Sequence, residues 1–489
     1  MVTFSKRARE PWHRRFARGH APGDAAILYG GGAILVLAVG GFWAFATSVH
    51  PDVWVPVLLL ITLTMISLPI CVMSAGRPTD SRLLRILVLA FSLKMLAVFP
   101  RYMVNEYVYE GEADTGLYYQ AGVQFVENMS ERQEWSLSGS ALDKYTDETR
   151  MIGYFGGVMY LVTGTTYLGS YIAFTWVSWV GLLLFFRAFR IAYPNAPPYP
   201  AAALIFFLPS MLYWPSAVGK DPVMLLTLGM VTLGIARILN MDRPFRGVVL
   251  LVPAAWLMMQ VRPHLLIICL VGVAASLLAR RPAQHSAARA VGVRLALLIA
   301  LIPGLAFGMA RMDEAFGDPN EGSISVTAVL EKTNEQTAIG NSTFETRPVS
   351  NPVDLLPATV SVLYRPFPFE VNSLPVFISA LEGTALLLLT FAAARWIWKV
   401  VPMMYRDPFA AFCGGYCLAF IFAFSNVGNA GILSRQRVQL FPIMVLLIAA
   451  THDRYRSLTD AADAESPATL PVGQPPNHPT DLVLAESHS

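Results

Sequence analysis

The stretch Trp54-Val-Pro-Val-Leu-Leu-Leu-Ile-Thr-Leu-Thr-Met-Ile-Ser-Leu-Pro-Ile-Cys-Val-Met-Ser-Ala75 contains no charged side chain. An α-helix needs about 20 such residues to cross the roughly 30 Å hydrocarbon core of a bilayer with its backbone polar groups satisfied internally. Similar runs recur along the 489-residue chain, which is 55% hydrophobic and only 14% charged, with a mean hydropathy of +0.50. Ordinary soluble domains carry about 25% charged residues. The sequence therefore predicts an all-α, polytopic transmembrane helical bundle and excludes soluble enzymes, secreted disulfide scaffolds and nucleic-acid binders. Cys71, Cys269, Cys413 and Cys417 all fall in apolar runs, where a thiol behaves as a small hydrophobe, so neither a disulfide framework nor a metal quartet follows.

Working outward from 54–75, spans are predicted at about 27–49, 84–101, 168–187, 200–217, 222–239, 247–261, 264–279, 293–310, 376–396, 408–425 and 437–451, about 12 in all. Connections carrying Arg77, Arg82 and Arg85, then Arg187 and Arg190, then Arg237, Arg243 and Arg246, fall on one side with the basic start Lys6 to Arg18. The excess of Lys and Arg marks that side, and with it both termini, as cytoplasmic. No small-residue cleavage site follows the first apolar run, so residues 1–26 read as a retained basic tail, 27–76 as two N-terminal spans and 84–451 as the main membrane domain. Residues 457–489, rich in Pro, Ala, Ser and Asp, read as a disordered cytoplasmic tail. The apolar segment 151–164 is too short to span and reads as interfacial or re-entrant. Two long loops, 102–167 and 311–375, then lie on the extracytoplasmic side and carry short helices. Loops of that length in a compact domain usually bind or catalyse.

The first loop opens with Glu106, Glu110, Glu112 and Asp114. Acids at a membrane surface are solvated or used. Asp114 precedes Thr115 to Asn128, where Leu117, Ala121, Phe125 and Val126 give an amphipathic helix suited to lie on the bilayer. A carboxylate at its start serves either as an N-cap or as a general base for a substrate hydroxyl. Leu208 to Pro222 forms a Pro-interrupted hairpin that places Lys220 at the start of a helix, a position favourable for anions. Arg262 and His264 flank Pro263 in a second abrupt hairpin, Arg365 and Glu370 close the second long loop, and Arg435 and Arg437 join the last two spans. Lys220, Arg262, Arg365, Arg435 and Arg437 are all predicted at one depth on one side. Guanidinium forks match phosphate oxygens, so this grouping fits a lipid-linked phosphate or diphosphate, with an apolar groove for the lipid tail. Lys94 and Glu382 lie within spans and need internal partners; Lys94 adds to the site or forms a structural ion pair.

These features resemble the C-type glycosyltransferase superfamily, polytopic enzymes that take a sugar from a polyprenyl-phosphate donor at the extracytoplasmic face. The resemblance covers roughly 84–400 and places the two long loops where that family has them. It implies that Asp114 is the catalytic base, with Tyr118 and Ala121 at the spaced positions of the acidic motif and Glu112 beside it. Thr115 stands where many members carry a second acid, so no cofactor is certain and a divalent cation is possible. The hairpins at Lys220, Arg262 and Arg365 also look like membrane proteins of bacterial surface-polysaccharide assembly, which implies the bacterial plasma (inner) membrane. The implied partners are a polyprenyl-phosphate lipid donor, a glycan or lipid-linked acceptor and membrane lipids, with no nucleic acid. Two alternatives remain: an O-antigen-polymerase-like enzyme joining lipid-diphosphate-linked units, and a lipid-linked saccharide transporter or flippase. Transporters place polar residues at the membrane midplane, whereas the polar groups here gather at one surface, which favours an enzyme.

Overall fold

The computed structural model describes residues 48, 50–76, 78–109, 114–140, 142, 147–279, scattered positions between 292 and 310, 344, 349, 351–371 and 374–451. Among them every regular element is helical. The helices that position the site are α1 (Pro51–Ser74), α2 (Ser81–Leu96), α3 (Asp114–Arg132), α4 (Asp147–Thr163), α5 (Tyr167–Ala192), α6 (Pro209–Tyr213), α7 (Lys220–Leu239), α8 (Pro244–Val261), α9 (Pro263–Leu278), α10 (Leu374–Ala392), α11 (Pro408–Phe424) and α12 (Ala430–Gln436).

Five stretches are long and apolar enough to cross a membrane: α1, the continuous run Ser81–Val108 that begins with α2, α5, α7 and α8. A sixth forms if Ala430–Gln439 and Phe441–Thr451, bent by 51° at their junction, make one broken span. The chain is thus a helical protein with five or six candidate spans among the described residues, against the twelve expected. The difference has identifiable sources. The predicted span 27–49 apart from Ser48, both predicted tails and most of the loop 311–375 lie outside the described residues, and the predicted span 293–310 is described in part, with a short apolar helix at Leu301–Ala310. The predicted spans 264–279 and 408–425 are apolar helices of 16 and 17 residues. The predicted span 200–217 is not one helix. It breaks into Pro198–Phe206 and α6, then runs as non-helical chain from Trp214 to Gly219. Pro209 and Pro215 each remove a backbone donor, and a proline ring clashes with the preceding turn. This irregular segment is buried throughout, as backbone without helical bonds must be in an apolar surrounding.

The short helix α6 is gripped at both ends. Glu382 of α10 accepts hydrogen bonds from the Ser210 amide (2.7 Å) and hydroxyl (2.6 Å) at its start. Lys94 of α2 donates to the carbonyls of Met211 (2.6 Å) and Leu212 (3.3 Å) toward its end. A carboxylate at the amide end and an ammonium at the carbonyl end both match the helix dipole. These two buried charges therefore do not pair with each other; they pin the segment that leads into Trp214.

Glycines set the helix spacing. A Cβ on Gly181 of α5 would lie 2.5 Å from the Leu225 carbonyl oxygen, and one on Gly229 of α7 would lie 2.5 Å from the Gly181 oxygen, so the backbones of α5 and α7 touch. Residues 151–163 of the segment 151–164 lie in α4, which is not among the candidate spans and pairs with α3. A Cβ on Gly157 of α4 would stand 2.5 Å from Phe125 Cγ, and one on Gly122 of α3 would stand 2.5 Å from Tyr160 Cε2. Gly157→Ala is therefore expected to force α3 and α4 apart at a cost of about 1–3 kcal/mol, seen as a lowered thermal midpoint of the purified protein. An unchanged midpoint would mean that the α3–α4 pair is not packed this way.

Candidate functional site

Asp114 is the first residue of α3, a helix that buries Thr115, Tyr118, Ala121, Gly122, Phe125 and Asn128. Leu117 and Val126 flank this face half-buried. The expected amphipathic helix therefore exists, with Asp114 exposed at its start, where the dipole favours a carboxylate. Asp114 and Thr115 form one wall of a cleft of about 600 Å³. A second wall is Arg101 with Val108 and Tyr109, from the far end of the run that begins with α2. A third is the buried segment Trp214 to Gly219 with Asp221 and Pro222, and a fourth is Asn429, Gly431, Ile432 and Arg435.

The floor is organised by Asp221, in the first turn of α7 and only 2% exposed. Its Oδ1 accepts from Arg262 Nη2 at 2.9 Å, and its Oδ2 accepts from Arg435 Nε. Arg262, itself 7% exposed, also donates to Gln436 Oε1 at 2.8 Å, which takes a further bond from Gln439 Nε2 at 3.0 Å. Two guanidiniums sharing one carboxylate leave the trio with a net positive charge. Arg435 carries it to the cleft surface, where its Nη2 would meet a Cβ on Gly219 at 3.7 Å. No side chain caps the start of α7, so its amide end faces the same space. The site can therefore hold an anion against Arg435 and the start of α7, with a carboxylate, Asp114, across the same cleft.

Tyr118 would approach the same Cβ on Gly219 at 3.8 Å. Burial, and then the negative charge of Asp114, push its phenol up to about 12, against the pull of Arg435 and Arg262. It therefore stays protonated at neutral pH.

Of the residues singled out from sequence, Asp114, Tyr118, Arg262 and Arg435 thus converge. Lys220 stands next to Asp221 in sequence, but its ammonium turns to Thr149 Oγ1 of α4 at 3.3 Å, linking α7 to the α3–α4 pair. His264 stacks edge-on against Phe424, with centroids 6.0 Å apart, and does not line the cleft. Arg437 is 1% exposed and donates to the Leu363 carbonyl at 2.7 Å. Arg365 is engaged locally: it pairs with Glu370 at 2.6 Å and lies over the Phe344 ring at 3.9 Å, while Phe344 itself donates its amide to the Gly428 carbonyl. Arg365 and Glu370 therefore fasten the end of the second loop and do not line the cleft. Glu112 lies outside the described residues.

Two charged residues of the cleft, Asp221 and Arg101, are not assigned to the site by the sequence alone. Asp221 stood beside Lys220 in the same motif, and its signal was an acid at the head of an apolar helix, where an uncompensated charge is costly. Arg101 was marked only as the end of a span. Its Nη1 donates to the Tyr213 hydroxyl at 3.3 Å, and its guanidinium carbon lies 5.0 Å and 5.4 Å from the ring centroids of Tyr213 and Trp214.

Among the described residues no three His, Cys, Asp or Glu side chains stand together to hold a metal ion. Asp221 is already taken by two guanidiniums, so among the described residues Asp114 is the carboxylate of this cleft left for a divalent cation. Neither a family model, nor a curated protein, nor a solved structure matches the chain.

Proposed function

We propose that the chain is an integral membrane glycosyltransferase that moves a sugar from a polyprenyl-phosphate-linked donor to a surface glycan or lipid-linked acceptor. The observation that carries this reading is that Asp114 and the Asp221-held Arg435 line one cleft where candidate spans end. In this reading the donor phosphate sits against Arg435 and the start of α7, which stabilise the charge that grows as the polyprenyl phosphate leaves. Asp114 takes the proton of the attacking acceptor hydroxyl. The hydroxyl oxygen bonds to the anomeric carbon as the bond from that carbon to the phosphate oxygen breaks. Asp221 touches no substrate; it orients Arg435 and Arg262. A divalent cation, if bound, would add positive charge beside Asp114.

The twelve-span count, the cytoplasmic termini, the extracytoplasmic loops and the bacterial plasma membrane belong to the same proposal, supported by the Arg-rich connections that fall on the other side of the predicted topology. Cell-envelope polysaccharide synthesis is the setting it fits.

The test is purified protein in lipid nanodiscs with a panel of polyprenyl-phosphosugars and acceptors. Transfer with release of polyprenyl monophosphate is expected. Arg435→Gln is expected to weaken donor binding roughly 30- to 1000-fold, the loss of a charge-assisted contact worth about 2–4 kcal/mol, and Arg435→Lys to fall between. Arg365→Gln is expected to leave donor affinity within about threefold, because its charge is spent on Glu370. Release of a polyprenyl diphosphate would point instead to the polymerase-like alternative, and translocation without bond cleavage to the flippase. Donor affinity untouched by Arg435→Gln would sink the cleft assignment.

A further inference from the structure

Of the two arginines that line the cleft among the described residues, Arg435 is matched by Asp221, and Arg101 pairs with no carboxylate of the described residues. Arg101 is 7% exposed, and among the described residues its Nε has no hydrogen-bond partner and its guanidinium is met by a tyrosine hydroxyl and two ring faces. A buried guanidinium held this way is costly unless an anion completes it. The rings and the Tyr213 hydroxyl fix its plane, which prepares the fork for two oxygens of one oxyanion.

We infer that Arg101 forms a second oxyanion subsite in the cleft, one that takes the phosphate of a lipid-linked acceptor. The inference rests on the donor reading above and deepens it, because it makes the acceptor an anionic lipid and not a neutral glycan chain. Two observations carry it. Arg101 comes from a different wall of the cleft than Arg435. The cleft, at about 600 Å³, equals about twenty water volumes at roughly 30 Å³ each, more than one phosphate fills. In a polyprenyl-linked saccharide the sugar is joined to the lipid through phosphate, and with that phosphate on Arg101 the acceptor would bring its hydroxyl into the space that Asp114 lines.

Native mass spectrometry of the full chain in nanodiscs, titrated with a polyprenyl monophosphate as the probe, tests this. Two probe molecules are expected per wild-type chain. Arg101→Gln should weaken one of the two sites by roughly 30-fold or more and leave the other, while Arg435→Gln should do the converse. Tyr213→Phe, which keeps the packing but frees the guanidinium, should weaken only the Arg101 site, by several-fold, and serves if Arg101→Gln does not fold. Inorganic phosphate at the probe's concentration should not displace it. One probe per chain, abolished by Arg435→Gln and untouched by Arg101→Gln and Tyr213→Phe, overturns the second subsite and leaves the donor reading standing. No probe bound at all removes both. Displacement from the Arg101 site by equimolar inorganic phosphate overturns the lipid-linked assignment and makes the ligand a free phosphate.

Discussion

Asp114→Asn is expected to lower turnover about 10²- to 10⁴-fold while donor affinity changes little, since a positioned base contributes roughly that much and the amide keeps the shape but cannot take a proton. The expectation follows from where the carboxylate stands: exposed, at the start of α3, lining the cleft that Arg435 enters from another element. A role limited to the helix end predicts another pattern. The dipole interaction of a first-turn carboxylate is worth about 0.3–1 kcal/mol, so Asp114→Ala would then shift the thermal midpoint slightly and leave turnover intact. Steady-state kinetics with a polyprenyl-phosphosugar, run beside a binding titration, separates the two. Parental turnover in the Asn variant would remove the base assignment.

The second large effect is expected in stability. Asp221→Ala leaves Arg262 and Arg435 facing each other without their shared carboxylate, and breaking a buried pair from one side costs about 3–5 kcal/mol. The purified variant should unfold at a clearly lower temperature and lose donor affinity together with it. Asp221→Asn keeps an acceptor for one guanidinium and should fall between. Arg262→Ala should cost less than Asp221→Ala, because Asp221 then keeps Arg435. The order of the three midpoints is the measurement. An Asp221→Ala midpoint equal to the wild type would mean that the cluster does not organise the cleft.

The helical bundle was legible in the sequence because a bilayer allows few solutions: a run such as 54–75, without charge, has to be a helix, and α1 occupies it. The helix that begins at Asp114 was legible from the spacing of Ala121 and Phe125 for the same kind of reason. The number of spans was less so, since hydropathy alone reads 200–217 as one crossing and does not register that Pro209 and Pro215 break it into α6 and a buried non-helical strand of chain. The site was legible in part. A charged residue next to an apolar run announces that it needs a partner, and that singled out Arg262, Arg435, Arg437, Lys94 and Glu382. It does not say which partner. Arg437 found the Leu363 carbonyl, Lys94 and Glu382 found the two ends of α6, and Arg365 found Glu370 five residues away. Asp221, the residue that joins Arg262 to Arg435, is visible only once α7, α9 and α12 are packed, because its partners are distant in sequence. Arg101 has the same history: its tyrosine is the last residue of α6 and its tryptophan the residue after it.

The most direct test of the cleft as a lipid-phosphate transfer site is an experimental density map of the Asp114→Asn variant in nanodiscs with a bound polyprenyl-phosphosugar. The account predicts phosphate density within about 3 Å of the Arg435 guanidinium at the start of α7, and the sugar between it and residue 114. Phosphate density bound instead at Arg365, Arg437 or Lys220, with the cleft empty, would contradict it.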